Sequence, residues 1–204
     1  VWVATGTYYG DTTSTNAFVA AEGVNVYGGF AGVEPENYDI TQRDFATNPT
    51  ILDGGNTRRV LYQPMSFNTR TTWDGFTIQH GYLPSTGNST YGHGAYLSGG
   101  FTLSNSIVRD NATIYDGAYH YGGGIYASNA NSNNGIVIDR CDISNNGNDL
   151  TVGTNYTYGS ALYASTYTTI ANSRLHHNLS RQGALYISYG TYVHNTLIDH
   201  NQSY

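Results

Sequence analysis

Three groups of residues in this chain have the types and spacing to do chemistry. Asp139, Arg140 and Asp142 sit together around Cys141. A glycoside hydrolase needs two carboxylates across a groove. A polysaccharide lyase needs a base, often Arg or Lys, usually beside calcium held by clustered carboxylates. His176 and His177 are adjacent, with His200 further on, and imidazole nitrogens are the commonest ligands of zinc-like ions. The third group is aromatic: Tyr91, His93, Tyr115, Tyr119, His120, Tyr121, Tyr156 and Tyr158 crowd into three polar, glycine-bearing stretches, with Tyr126 and Tyr163 just beyond two of them. Exposed aromatics among polar neighbours suit stacking on sugar rings or packing against a protein partner. The Gly122-Gly-Gly run lacks the lysine and following helix of a phosphate loop, and reads as a tight turn.

The elements that must position these residues come from an internal repeat. Ala161-Leu-Tyr-Ala-Ser165 recurs as Ala184-Leu-Tyr-Ile-Ser188, with related copies at Val60, Ala95 and Gly124. Alignment puts Tyr62, Tyr96, Tyr126, Tyr163 and Tyr186 in one column, at gaps of 34, 30, 37 and 23 residues. A second block follows each copy, as in Phe101–Asn111, Ile136–Asn146, Thr168–Asn178 and Thr191–Asn201. Period-two alternation within the blocks predicts strands. Leu103, Ile138, Ile170 and Val193 form one inward column; Val108, Ile143, Leu175 and Ile198 form another. Ser106, Cys141, Ser173 and Thr196 lie between them, so the single cysteine reads as a small buried filler. The tyrosines should point outward, and Asn111, Asn146, Asn178 and Asn201 should stack at one turn and exchange amide hydrogen bonds.

A 23-residue coil is too short for a strand–helix–strand crossover, and unequal coils suit a solenoid whose extra residues bulge at the turns. The expected fold is therefore all-β, a right-handed parallel β-helix. It spans residues 1–204 as one unit, with opening coils at 1–59 and regular coils at 60–204. Residues 82–93, 112–121 and 147–158 all enter between the asparagine turn and the tyrosine strand, so these loops should cluster on one side. The chain begins on Val1-Trp-Val, in what reads as a strand already under way, and stops at a turn, Asn201-Gln-Ser-Tyr204. The expectation is a segment that continues into further coils or associates end to end.

The columns also weigh on the chemistry. The place of Asp139 is taken by Ser104, Ala171 and His194 in other coils, so no carboxylate ladder forms. A solvated turn is expected there, and no catalytic residue is assigned. In an extended strand His176 and His177 would face opposite sides and not share one ion. A zinc pair of His177 with His200, one coil apart, is the other arrangement, but surface histidines at a turn are expected, and neither a metal site nor a cofactor is assigned. The net charge is −6 and all eight basic residues are arginine. Without a basic stripe to neutralise phosphates, nucleic acid is not expected as a partner. No apolar run is long enough to insert this segment in a membrane.

Val1-Trp-Val-Ala-Thr-Gly-Thr-Tyr-Tyr9, Gly23–Glu34, Gln42-Arg-Asp44, Thr50-Ile-Leu-Asp-Gly54, Asp74-Gly-Phe-Thr-Ile78 and Gly122-Gly-Gly-Ile-Tyr126 resemble the coils of bacterial right-handed parallel β-helix repeat proteins. These include proteins similar to chlamydial polymorphic outer-membrane proteins, common among Bacteroidetes. The resemblance spans nearly the whole chain. It implies export to the cell surface or the extracellular space and use as an adhesin or surface structure; the loop aromatics are what point to a glycan or a surface protein as partner. The pectate-lyase-like enzymes share the architecture, so a polysaccharide lyase or glycoside hydrolase is the alternative.

Overall fold

The computed structural model describes residues 1–85, 87–113, 118–147 and 156–203. Its strands are short, two to five residues, and every pairing between them is parallel. The chain runs from one sheet to the next and returns to the first one coil later, which makes a parallel β-helix. The first sheet has seven strands: Trp2–Ala4, Val26–Phe30, Thr71–Asp74, Phe101–Ser104, Ile136–Asp139, Thr168–Ala171 and Tyr192–His194. The second also has seven: Gly6–Tyr8, Thr50–Asp53, Phe76–Gln79, Ile107–Arg109, Asp142–Ser144, Arg174–His176 and Leu197–Asp199. The third has six: Asn16–Val19, Arg59–Tyr62, Ala95–Leu97, Ile125–Ala127, Leu162–Ala164 and Leu185–Ile187.

The register is the one the repeat predicts. Tyr62, Tyr96, Tyr126, Tyr163 and Tyr186 are successive partners across the third sheet. Leu103, Ile138, Ile170 and Val193 are partners in the first, and Val108, Ile143, Leu175 and Ile198 in the second. All but the last member of each aliphatic column are fully buried. With period two, burying these columns sends the alternate residues to the surface.

The corners explain why so many non-glycine residues have positive φ. Between the first and second sheets the left-handed position is Gly75, Asn105, Arg140, Asn172 and Asn195; after the second it is His80, Asp110, Asn145, His177 and His200. Asn, Asp and His tolerate this region better than other side chains do. Immediately beyond the second corner the asparagine ladder forms. Asn146 Oδ1 accepts from the backbone N and Nδ2 of Asn111, and Asn178 and Asn201 repeat the pattern one coil on each time, at 2.9–3.2 Å. Each Nδ2 also donates to a carbonyl of the coil before, such as Val108 O for Asn146. The ladder thereby satisfies buried backbone groups at a corner where no strand pairs them. Cys141 sits buried in the serine column, where burial pushes its thiol up to about 12.

The opening coils are less regular. The register shifts between Trp2 and Ala4 along Val26–Phe30. The excursion after Phe30 carries a short 3-10 turn, Ile40–Gln42, whose next residue, Arg43, reaches Asp74 at 2.6 Å in a nearly buried ion pair. Ser104 Oγ and Asn105 Nδ2 donate to the other oxygen of Asp74. A buried charge pair stays in place only when such extra hydrogen bonds complete it.

Candidate functional site

The three insertions end in strands of their own. Thr90–Tyr91, Tyr119–Tyr121 and Tyr156–Tyr158 pair in parallel as a small fourth sheet beside the third. Each is followed by a left-handed glycine, Gly92, Gly122 or Gly159, where a Cβ would overlap the carbonyl oxygen of Ala95, Ile125 or Leu162. This glycine column makes the corner tight enough to set one tyrosine row against the other.

Within a row the rings stack from coil to coil. In the third sheet Tyr62–Tyr96, Tyr96–Tyr126, Tyr126–Tyr163 and Tyr163–Tyr186 have centroids 5.5, 5.1, 5.3 and 4.4 Å apart, the last two pairs within 16° and 1° of parallel. In the fourth sheet Tyr91–Tyr121 and Tyr121–Tyr158 lie 5.2 and 5.3 Å apart at 10° and 12°. Across the rows the rings meet edge to face: Tyr91 on Tyr126, Tyr121 on Tyr163 and Tyr158 on Tyr186, at 63°, 80° and 90°. The result is a herringbone of eight rings, in which both preferred aromatic geometries recur.

Arg59 closes the N-terminal end of this array. Its guanidinium stands 4.9 Å over Tyr62 and 5.3 Å over Tyr96 and is hydrogen-bonded to Asn16 Oδ1, Tyr91 O and Gly92 O. Burial pushes its pKa down to about 10, which leaves it cationic at neutral pH. Burial and then the hydroxyls of Tyr186 and Tyr126 push Tyr163 up to about 12, and Tyr121 and Tyr126 are raised, chiefly by burial.

The residues singled out from the sequence divide. Tyr91, Tyr121, Tyr158, Tyr126 and Tyr163 come together in the herringbone, and Tyr119, 46% exposed, stands beside it, 6.4 Å from Tyr158. Tyr156 pairs through its backbone with Tyr119. Tyr115 lies outside the described residues. His93 and His120 are fully buried and sit on the inner side of the fourth sheet. Thr90 Oγ1 bridges them, 2.8 Å from His93 Nε2 and 2.6 Å from His120 Nδ1, while His93 Nδ1 accepts from Leu83 N. Alternation turns His120 inward when Tyr121 faces out, and His93, just past the left-handed Gly92, is buried 5.3 Å from it, so these two histidines are not part of the exposed surface. Arg59 was not singled out, because its role depends on where the ladder ends rather than on any motif.

The rest of the chemistry lies on the second sheet and its corner. Arg140, Asp142, Asn172, Arg174 and Asn195 rim an open depression there. Each carboxylate at this corner is already engaged: Asp139 with Arg140 at 2.6 Å and with Asn172 Nδ2, Asp142 with His176 at 2.8 Å and with Ser144 Oγ, Asp199 with Arg174 at 2.7 Å. Among the described residues no three His, Cys, Asp or Glu side chains are grouped to hold a metal ion. The expectation that His176 and His177 face opposite sides is corrected. His177 has φ 55°, and this left-handed turn brings the two Nδ1 atoms to 2.7 Å. His177 and His200 instead stack, centroids 5.2 Å apart at 9°, which presents ring faces rather than converging nitrogens. Compared with known proteins, the chain matches no family model, no curated protein and no solved structure.

Proposed function

We propose that this chain is a non-catalytic β-helix module of an extracellular or cell-surface protein, adhesin-like in use, whose tyrosine face is its recognition surface. The observation that carries this reading is the herringbone itself. Tyrosine rings locked on two sides lose little further entropy when a partner covers them, and each offers apolar area and a hydroxyl together. Because neighbouring coils cover much of each ring's faces, the rows present edges and hydroxyl tips more than open planes. That favours a surface protein over a sugar stacked on a ring. Tyr186, the last ring of its row and 39% exposed, is where a sugar ring would find most room.

The test is binding of the intact chain to immobilised extracellular proteins and to a glycan array, with the Tyr91→Ser/Tyr119→Ser variant alongside. These two rings, 37% and 46% exposed, stand at the solvent edge of the fourth-sheet row, so binding should fall at least tenfold while the circular dichroism spectrum is retained. Binding that is unchanged in this variant would move the recognition surface elsewhere. New reducing ends or unsaturated products after incubation with acidic and neutral polysaccharides would replace the non-catalytic reading by the lyase or hydrolase alternative.

A further inference from the structure

We propose that His176 and His177 form a two-imidazole chelate for a divalent ion from the nickel, copper and zinc end of the first transition row. His176 ends the strand Arg174–His176, and His177 occupies the left-handed corner that follows. The reversal at that corner swings the second ring to the same side as the first. The rings are 82° apart and their Nδ1 atoms are 2.7 Å apart. Two nitrogens bound to one zinc-like ion at about 2.0–2.1 Å stand roughly 3 Å apart when the angle between them is near 90°. At that bite each Nδ1 lone pair points about 45° off the N···N line, so both rings turn out of their mutual hydrogen bond to face a common ion.

The neighbouring coil has already set His176 for the task. Asp142 Oδ2 lies 2.8 Å from His176 Nε2, and Asp142 Oδ1 is held by Ser144 Oγ at 2.8 Å. The carboxylate keeps the proton on Nε2, so Nδ1 presents its lone pair towards His177. This is the carboxylate–histidine arrangement that orients ligands and raises their basicity in metal sites. In the metal-free protein His177 donates its Nδ1 proton to His176 Nδ1. On binding, that proton is carried by His177 Nε2 instead, so two neutral imidazoles face the ion and no net charge is moved. His200 lies flat against His177 and is held by Asp199 through its own Nδ1 at 2.6 Å, which limits how far His177 turns.

The surroundings tolerate a cation. Arg174 is engaged by both oxygens of Asp199 at 3.0 and 2.7 Å, and the Asp142 carboxylate stands against His176. His177 is exposed and the His176 side chain is 16% exposed, so the ion enters from solvent and completes its coordination with water. Nitrogen donors with open positions select this end of the series over magnesium or calcium.

The experiment is titration of the metal-free chain with Zn²⁺ by calorimetry and with one equivalent of Cu²⁺ followed by electron paramagnetic resonance. The expected result is one saturable site, with hyperfine splitting from two nitrogens. His176→Ala should lose it. His177→Asn should lose it too while keeping a side chain suited to the left-handed corner, as Asn145 shows one coil earlier, so its fold is preserved. Asp142→Asn should weaken binding about 10–100-fold, and His200→Ala should leave the two-nitrogen signal intact. The proposal is overturned if the unaltered chain shows no saturable binding, if the two-nitrogen signal survives in His177→Asn, or if Asp142→Asn leaves the affinity unchanged.

Discussion

The tyrosine face and the charged face are built on the same backbone at the same coil spacing, yet they fill it by opposite rules. On the third sheet one residue type repeats, Tyr62 to Tyr186, and each ring packs against its like. On the second sheet the outward partners change from coil to coil. One column runs Gln79, Arg109, Ser144, His176, Asp199 and its neighbour runs Ile107, Asp142, Arg174, Leu197. A parallel helix brings equivalent side chains about 4.8 Å apart. At that distance neutral aromatics attract and like charges repel. Repetition therefore serves an uncharged surface, and a charged surface must alternate, pairing Asp142 with His176 and Arg174 with Asp199.

The largest expected effect comes from the corner beneath both faces. Asn146→Ala leaves the Asn111 amide N and Val108 O without their partners, and buried groups so orphaned cost about 1–3 kcal/mol each. Urea unfolding should show a loss of about 3 kcal/mol or more, greater than any single outward substitution on either face. Tyr126→Ser comes next. Tyr126 is half-buried, with Tyr96, Tyr163 and Tyr91 against it. Removing it forfeits packing and several ring pairs, about 2 kcal/mol in all. A melting temperature within a degree of the parent would show that the row is decoration.

Asp142→Arg sharpens the comparison from the other side, because it places an arginine directly opposite Arg174. The melting temperature should drop by a few degrees at low salt and recover most of that at high salt, whereas the Tyr126→Ser loss should be indifferent to salt. The smallest effect is alkaline. An unfolded tyrosine ionises near 10, but folded Tyr163 holds its proton up to about 12. Between these values the folded chain binds more protons than the unfolded one, so its stability is level below pH 10 and declines as the pH rises towards 12. Absorbance of tyrosinate should show late-ionising groups with Tyr163 among them, and in Tyr163→Phe their number should fall by one and the decline shrink.

The same contrast explains what could be read from the sequence. Columns made of one residue type announce themselves by self-similarity: the tyrosine row, the asparagine ladder and the aliphatic columns of the core all fall in the register that alignment predicts. A column that alternates has no self-similarity to detect, so only the pairing of the strands connects Asp142 with His176. His177 escaped for a second reason. Strand periodicity assigns it to the face opposite His176, and one left-handed residue, which no pattern of hydrophobicity reports, reverses that. His93 and His120 were grouped with the exposed tyrosines because they share a loop with them. The period-two rule that buries His120 applies only once that segment is known to be a strand, and His93 lies past the left-handed Gly92, where alternation no longer holds. Arg59 acts by standing at the end of a row, a property of position in the stack.

The 23-residue coil between Tyr163 and Tyr186 crosses from Asn178 to Leu185 without any long insertion, yet keeps the register of the coils that carry 112–121 and 147–158. The corner after the asparagine ladder is therefore a port: coils of different length leave and return there while the third sheet keeps its register. A foreign peptide spliced in after Asn178, ahead of Gly183, would leave the solenoid at this same corner, one coil pitch on from Asn146. Repeated coil by coil, such grafts would form an array whose spacing is set by the backbone itself, so that valency is chosen by counting coils.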